Sequence, residues 1–200
     1  MPRPDGCTTS LDGTVTMVGT DGARSLARMK LAGALPRRWR HVQAAAATAV
    51  RLSTLPGVCG GLLVAAAWLH DIGYAPDLVG TGFHPLDGGR FLRRQGADER
   101  LACLVAHHSC AVYEARMRGL DDVLLAEFRL EDSPTYDALV FSDMTTGPAG
   151  ESVSYTARME EIRARYGPRH AVTRALDLAK ADLTACCERT LERIGVAGIS

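Results

Sequence analysis

Five of the six histidines in this 200-residue chain fall between positions 41 and 108, and one of them, His70, is followed directly by Asp71. Taken singly, each histidine reads as well as a hydrogen-bonded core residue as it does a ligand. Where the set points decides the matter. His70 follows Leu62 and Leu63 on one helical stripe, His108 continues Leu101, Leu104 and Val105, and Asp143 continues Tyr136, Leu139 and Val140. Residues at i, i+3, i+4 and i+7 share a helix face, so each of these polar groups is aimed into the interior. An ionised carboxylate there is costly unless it is paired or bound to a cation. The sequence offers few buried-looking basic partners for Asp71 or Asp143, and a bound metal resolves the conflict for all of these groups together.

Imidazole and carboxylate in one set suit divalent first-row metals such as Fe, Mn, Co, Ni or Zn, whereas all-oxygen sets suit Mg and Ca better. His70 and Asp71 supply a nitrogen and an oxygen ligand on successive residues at a helix end. Adjacent side chains there diverge by about 100°, which lets the two oxygens of Asp71 bridge from one metal to a neighbour.

The elements that must hold these residues are helices. After Pro36, residues Val42, Ala45, Ala46, Ala49 and Leu52 recur at helical spacing, and Pro56-Gly57 stops the run. Leu62 to His70 forms a second apolar helix, and the glycine-rich stretch Ile72 to His84 is a loop. Helical patterns resume over Pro85–Gln95, Asp98–His108, Val112–Arg118, Asp122–Phe128, Pro134–Met144, Tyr155–Tyr166 and Ala171–Ile194, with a stop at Thr146-Gly147-Pro148. Residues 1–22 show no helical period and read as a flexible arm or a small strand-like flap. The expectation is one all-α domain over 23–200.

Composition agrees with a globular protein: 46% of residues are apolar and 23% charged. Lys+Arg and Asp+Glu both number 23, so the net charge is zero and no broad nucleic-acid or anionic-membrane surface is implied. The six cysteines form no CxxC pair and read as reduced, mostly buried thiols. There is no basic-then-apolar leader, and the longest apolar stretch, Gly60 to Leu69, is too short to span a bilayer. A cytoplasmic location is expected.

The order His41 … His70-Asp71 … Asp143 resembles the signature of the HD-domain metal-dependent phosphohydrolases. His84 and the pair His107-His108 resemble the subset that holds two metals. The likeness extends to Arg38-Trp39-Arg40-His41, to Trp68-Leu69-His70-Asp71-Ile72-Gly73-Tyr74 and to Ser142-Asp143-Met144, and spans about residues 35 to 165. It implies an all-α HD-type helical bundle with the site in its middle. His41, His70, Asp71 and Asp143 would bind a first metal. Asp71 would bridge to a second, completed by His84 with His107, His108 or both, and Fe or Mn is favoured for the pair. The reaction implied is hydrolysis of a phosphate ester of a small molecule, a nucleotide or nucleoside phosphate first. A metal-bridging hydroxide would be the nucleophile, since metals lower the pKa of bound water. By the same resemblance, Asp71, His84 and Arg38 would carry the catalytic roles.

Tyr74 stands where the cyclic-dinucleotide-cleaving HD-GYP branch has lysine, and the rest of that signature is missing, so cyclic di-GMP is not the expected substrate. No second domain resembles the stringent-response synthetases. Arg37, Arg40, Arg90, Arg93 and Arg94 read as solvated helix faces that could include a phosphate clamp; Arg38 is the first choice for that role because it stands three residues before His41. Tyr74, Thr81 and Phe83 are candidate pocket walls, and Thr145 and Thr146 could orient water or a leaving group. The segment Arg158–Arg165 alternates in charge like an exposed helix, and His170 is placed on the surface. The partner expected is a small phosphorylated molecule, with neither nucleic acid nor membrane, and a homodimer is left open. Two further readings stand beside the hydrolase. One is a mixed-valent diiron oxygenase of the HD fold that cleaves a carbon bond with O₂, though the residues before His41 offer no tyrosine or glutamate to cap an iron. The other is a non-catalytic sensor that keeps its metals for stability.

Overall fold

The apolar periodicities become ten α-helices in a computed structural model that describes residues 19–198. They are α1 (Thr20–Leu31), α2 (Pro36–Leu52), α3 (Gly60–Leu69), α4 (His84–Arg94), α5 (Glu99–His107), α6 (Val112–Arg118), α7 (Asp121–Glu127), α8 (Pro134–Met144), α9 (Tyr155–Tyr166) and α10 (Ala171–Ala197). Two short 3-10 turns, Ile72–Tyr74 and His108–Cys110, follow α3 and α5. Among the described residues there is no strand, only an isolated antiparallel bridge between Thr146 and Ser152. The fold is all-α. Most of the expected N-terminal arm lies outside the described residues; of its last four, Thr20, Asp21 and Gly22 already belong to α1.

Local chemistry sets the helix starts. Pro36 and Pro134 occupy the first turns of α2 and α8, where a missing N–H costs nothing. Ser133 accepts from the Tyr136 N–H, and Asp98 accepts from the N–H groups of Arg100 and Leu101, satisfying donors that have no partner within the helix.

Helix α3 (GGLLVAAAWL) is apolar on every side, as befits a helix surrounded by others. It packs against α1, α2, α5 and α8, with Leu63, Ala66, Ala67 and Leu69 fully buried. Its C-terminal end therefore delivers His70 and Asp71 into the centre of the molecule. The 3-10 turn that follows runs hard against the start of α4: a Cβ added at Gly73 would sit 2.0 Å from the His84 carbonyl oxygen and 2.7 Å from the Gly88 nitrogen. Only glycine permits that approach, and the approach brings His84 to Asp71. The loop between them, expected to be irregular, is tied down by the buried Asp87. Its carboxylate accepts from the backbone N–H groups of Gly80, Thr81 and Gly82 and from the Thr81 hydroxyl. Among the described residues no helix is long and apolar enough to cross a membrane.

Candidate metal centre

Five elements converge on one point. Helix α2 supplies His41, the end of α3 supplies His70 and Asp71, the first residue of α4 is His84, the turn after α5 supplies His108, and α8 supplies Asp143. All are buried apart from His84, whose side chain is 14% exposed. The donor atoms fall into two groups that could each hold a cation: His41, His70 and Asp143, and Asp71, His84 and His108.

Asp71 faces both. Its Oδ2 lies 3.4 Å from His70 Nε2 and 3.7 Å from His41 Nε2, while its Oδ1 lies 3.3 Å from His84 Nε2 and 3.8 Å from His108 Nε2. Asp143 Oδ1 lies 3.0 Å from His41 Nε2.

The backbone fixes which nitrogen three of the four rings offer. His41 Nδ1 donates to the Gly147 carbonyl at 3.0 Å, His70 Nδ1 to Ala67 at 2.8 Å and His108 Nδ1 to Val105 at 2.6 Å. With the proton held on Nδ1, a neutral ring turns the Nε2 lone pair inward, the arrangement common to metal-ligating histidines. Facing nitrogens stand close together: His41 and His70 Nε2 are 3.3 Å apart, and His84 and His108 Nε2 are 3.2 Å apart. Two nitrogens bound at about 2.1 Å and at right angles to one cation stand about 3 Å apart. The donor set fits metal ions.

Without a cation the charges must compensate one another. Burial alone would raise the Asp71 carboxyl, but Arg38 and His70 hold it well below the usual range. Burial would likewise raise Asp143, yet the His41 hydrogen bond and the charge of His70 hold it low. Burial disfavours a charged His70, and Asp71 and Asp143 outweigh it, raising that ring to about 9. His108 is pushed down to about 3, chiefly by burial and then by His84 and His70, and so stays neutral.

Arg38, expected as a phosphate clamp, is also the basic partner of Asp71. Its guanidinium donates to Asp71 Oδ2 at 2.7 Å and lies over the Tyr74 ring at 4.1 Å. Tyr74 in turn stacks on His84, with ring centroids 3.8 Å apart. The layered Arg38, Tyr74 and His84 border a cleft of about 790 Å³, mouth included, whose floor holds Asp71, His108 and Asp143.

Other expected residues lie elsewhere. His107 joins neither group: its Nε2 donates to the Phe128 carbonyl at 2.9 Å, and of the two adjacent histidines it is His108 that reaches the centre. Phe83 is fully buried, and Thr81 is engaged with Asp87, so neither walls the cleft. The Thr145 and Thr146 hydroxyls donate to the carbonyls of Phe141 and Ser142 in α8. Arg90 pairs with Glu127, and Arg93 with Glu99. His170 caps α10 through the Val172 N–H.

Sequence reading missed three residues on the cleft. Ser109 sits in left-handed backbone (φ 50°, ψ 40°), followed by Cys110 at φ 57°, and its hydroxyl donates to Asp143 Oδ2. A non-glycine residue there stores roughly 1–3 kcal/mol of strain, and no local pattern announces it. Arg158 and Arg165, read as exposed, also line the cleft; Arg158 is only 5% exposed. Their spacing of seven was a usable signal, since it sets both on one helix face.

Fold and site together define an all-α protein with a paired histidine–aspartate centre able to hold metal ions. The chain is similar to Ribonuclease Y of Rubrobacter xylanophilus, with 35% identity over 106 residues, covering 49% of this chain and 20% of that protein. It thus spans about a fifth of the length of that relative. No protein-family model matches the chain, and no solved structure matches it.

Proposed function

We propose that this chain is an HD-type metal-dependent phosphohydrolase that cleaves a phosphate ester of a small molecule, with nucleotides or nucleoside phosphates as the first class to try. The observation that carries the reading is Asp71, whose two oxygens face two separate groups of imidazole and carboxylate donors. His41, His70, Asp71 and Asp143 would hold one metal, and Asp71, His84 and His108 the other. Bound there, divalent metals supply a lowered pKa for coordinated water and positive charge for the phosphoryl oxygens. Arg38 holds Asp71 ionised and presents its guanidinium at the cleft, where it can bind a phosphoryl oxygen. Tyr74 fixes the plane of His84 by stacking on it. The similarity to a ribonuclease supports phosphate-ester chemistry. The zero net charge and the recessed centre favour a small substrate over a polymer.

The test is elemental analysis of the purified protein, then assays of phosphate release from nucleotides and sugar phosphates with Mn, Fe or Co, beside a short single-stranded RNA. Release from small esters is expected. RNA cleavage without small-ester turnover would overturn the substrate class. Substrate-dependent O₂ uptake with a mixed-valent iron signal, and no phosphate release, would replace hydrolysis by oxygenase chemistry.

A further inference from the structure

The cleft bordered by the metal groups is also lined by α9 and α10, and these walls differ in kind. Helix α10 contributes Ala175, Leu176, Ala179 and Leu183, which with Ile162 of α9 form an apolar face. Helix α9 sets Arg158 and Arg165 beside it. Burying a guanidinium is costly unless its donors are paired. Arg158 pairs through one terminal nitrogen with Glu161, and its buried Nε has no partner. The same Glu161 also serves Arg165, at 3.4 Å, so one carboxylate answers two guanidinium groups and a net positive charge remains. Glu161 does not line the cleft; it holds the arginines from behind. Of the carboxylates that do line it, Asp71 and Asp143 belong to the metal groups and Glu114 pairs with Arg118. Glu151 feels the charge of Arg158 but accepts from the Ala149 N–H in the exposed turn before α9.

We propose that Arg158 and Arg165 form a second anion subsite, so that the substrate carries an oxyanion, carboxylate or phosphoryl, at the far end of an apolar body lying against α10. The inference rests on the phosphohydrolase reading for the position of the first phosphate. The subsite itself is an unsatisfied positive charge beside an apolar wall, and its occupant is therefore anionic at one end and apolar along its length.

Binding of non-hydrolysable probes separates this proposal from the activity. Alkyl monophosphonates and α,ω-alkane bisphosphonates of matched chain lengths are titrated calorimetrically against the metal-loaded protein. At the chain length that spans the cleft, the bisphosphonate is expected to bind about tenfold tighter, the scale of one charge-assisted hydrogen bond. Arg158→Gln and Arg165→Gln should each bring the ratio towards one, and Glu161→Gln, which frees the positive charge, should increase it. If buried Arg158→Gln fails to fold, the half-exposed Arg165→Gln and Glu161→Gln decide. Equal affinity for the two probes at every length, or an advantage that survives the arginine substitutions, would overturn the subsite. A matched ω-carboxyalkyl phosphonate then distinguishes carboxylate from phosphoryl as the preferred second group. Phosphate release from alkyl phosphate esters, measured separately, decides the hydrolase reading whatever the binding result.

Discussion

Asp71 faces both donor groups, and the two are built differently. In the group of His41, His70 and Asp143, both rings are anchored by backbone carbonyls, and Asp143 is held by the Ser109 hydroxyl. The rings are at most 1% exposed. In the other group His108 is anchored the same way, but His84 is oriented by stacking on Tyr74 and borders the cleft. Enclosed donors suit a metal that stays, and donors open on one side suit one that exchanges contacts with substrate. Under the proposed function, the enclosed rings of the first group would serve structure and charge, and the second group would face the substrate's reacting end, with Asp143 of the first also on the cleft floor.

The largest expected effect removes the element common to both. Asp71→Ala should abolish retention of both metals and lower phosphate release on the order of 10³-fold, read by elemental analysis beside the assay. Full metal content in that variant would sink the bridging role. The next test divides the groups. His41→Ala leaves the buried Asp143 carboxylate without its 3.0 Å partner and should destabilise the fold by about 3 kcal/mol while emptying the first group. His84→Ala should cost the fold about 1 kcal/mol or less and deplete only the second. Equal melting losses would erase the distinction.

A pH series sharpens the same comparison. In chelated protein His70 titrates near 9 rather than at its ordinary 6.5. A raised folded-state pKa contributes stability that is fully present below 6.5 and is lost as pH rises through 9. The melting temperature of chelated protein should therefore fall across that window. With Mn bound, the metal replaces the proton and the fall should vanish, while acid should weaken metal retention because protons compete for the same donors. Parallel curves with and without metal would show that His70 does not exchange a proton for a cation.

What the sequence disclosed, and what it withheld, follow the same physics. The helices were legible because apolar spacing repeats over two or more turns, and Asp143 was aimed inward by the stripe it continues. The choice between His107 and His108 was not legible, because the two are adjacent where the chain leaves α5, with His108 at φ −50°, ψ 148° just before the kink at Ser109. Arg38 beside Asp71 was hidden for a different reason: the two are 33 residues apart, and their meeting depends on how α2 crosses the end of α3. Arg158 was misread because its charged neighbours repeat like those of a solvated helix, whereas its burial comes from α10, which packs on it from later in the chain.

The smallest effect isolates that kink. Ser109 makes a hydrogen bond to Asp143 from backbone that an L-residue adopts at a cost of about 1–2 kcal/mol. Ser109→Ala removes the hydroxyl and keeps the cost; Ser109→Gly removes the hydroxyl and relieves it, less the extra freedom glycine gains when unfolded. The glycine variant should therefore melt as the more stable of the two, by about 0.5–1 kcal/mol. Both should weaken metal retention about tenfold, because a hydrogen-bonded carboxylate is held for its ligand. That loss should fall on the group of His41, His70 and Asp143, since the Ser109 hydroxyl reaches neither His84 nor the Oδ1 of Asp71. Competition with a graded series of chelators resolves the two metals by affinity. If the loss fell equally on both, the kink would be coupling the groups through Asp71, and the enclosed group would no longer be independent of the open one.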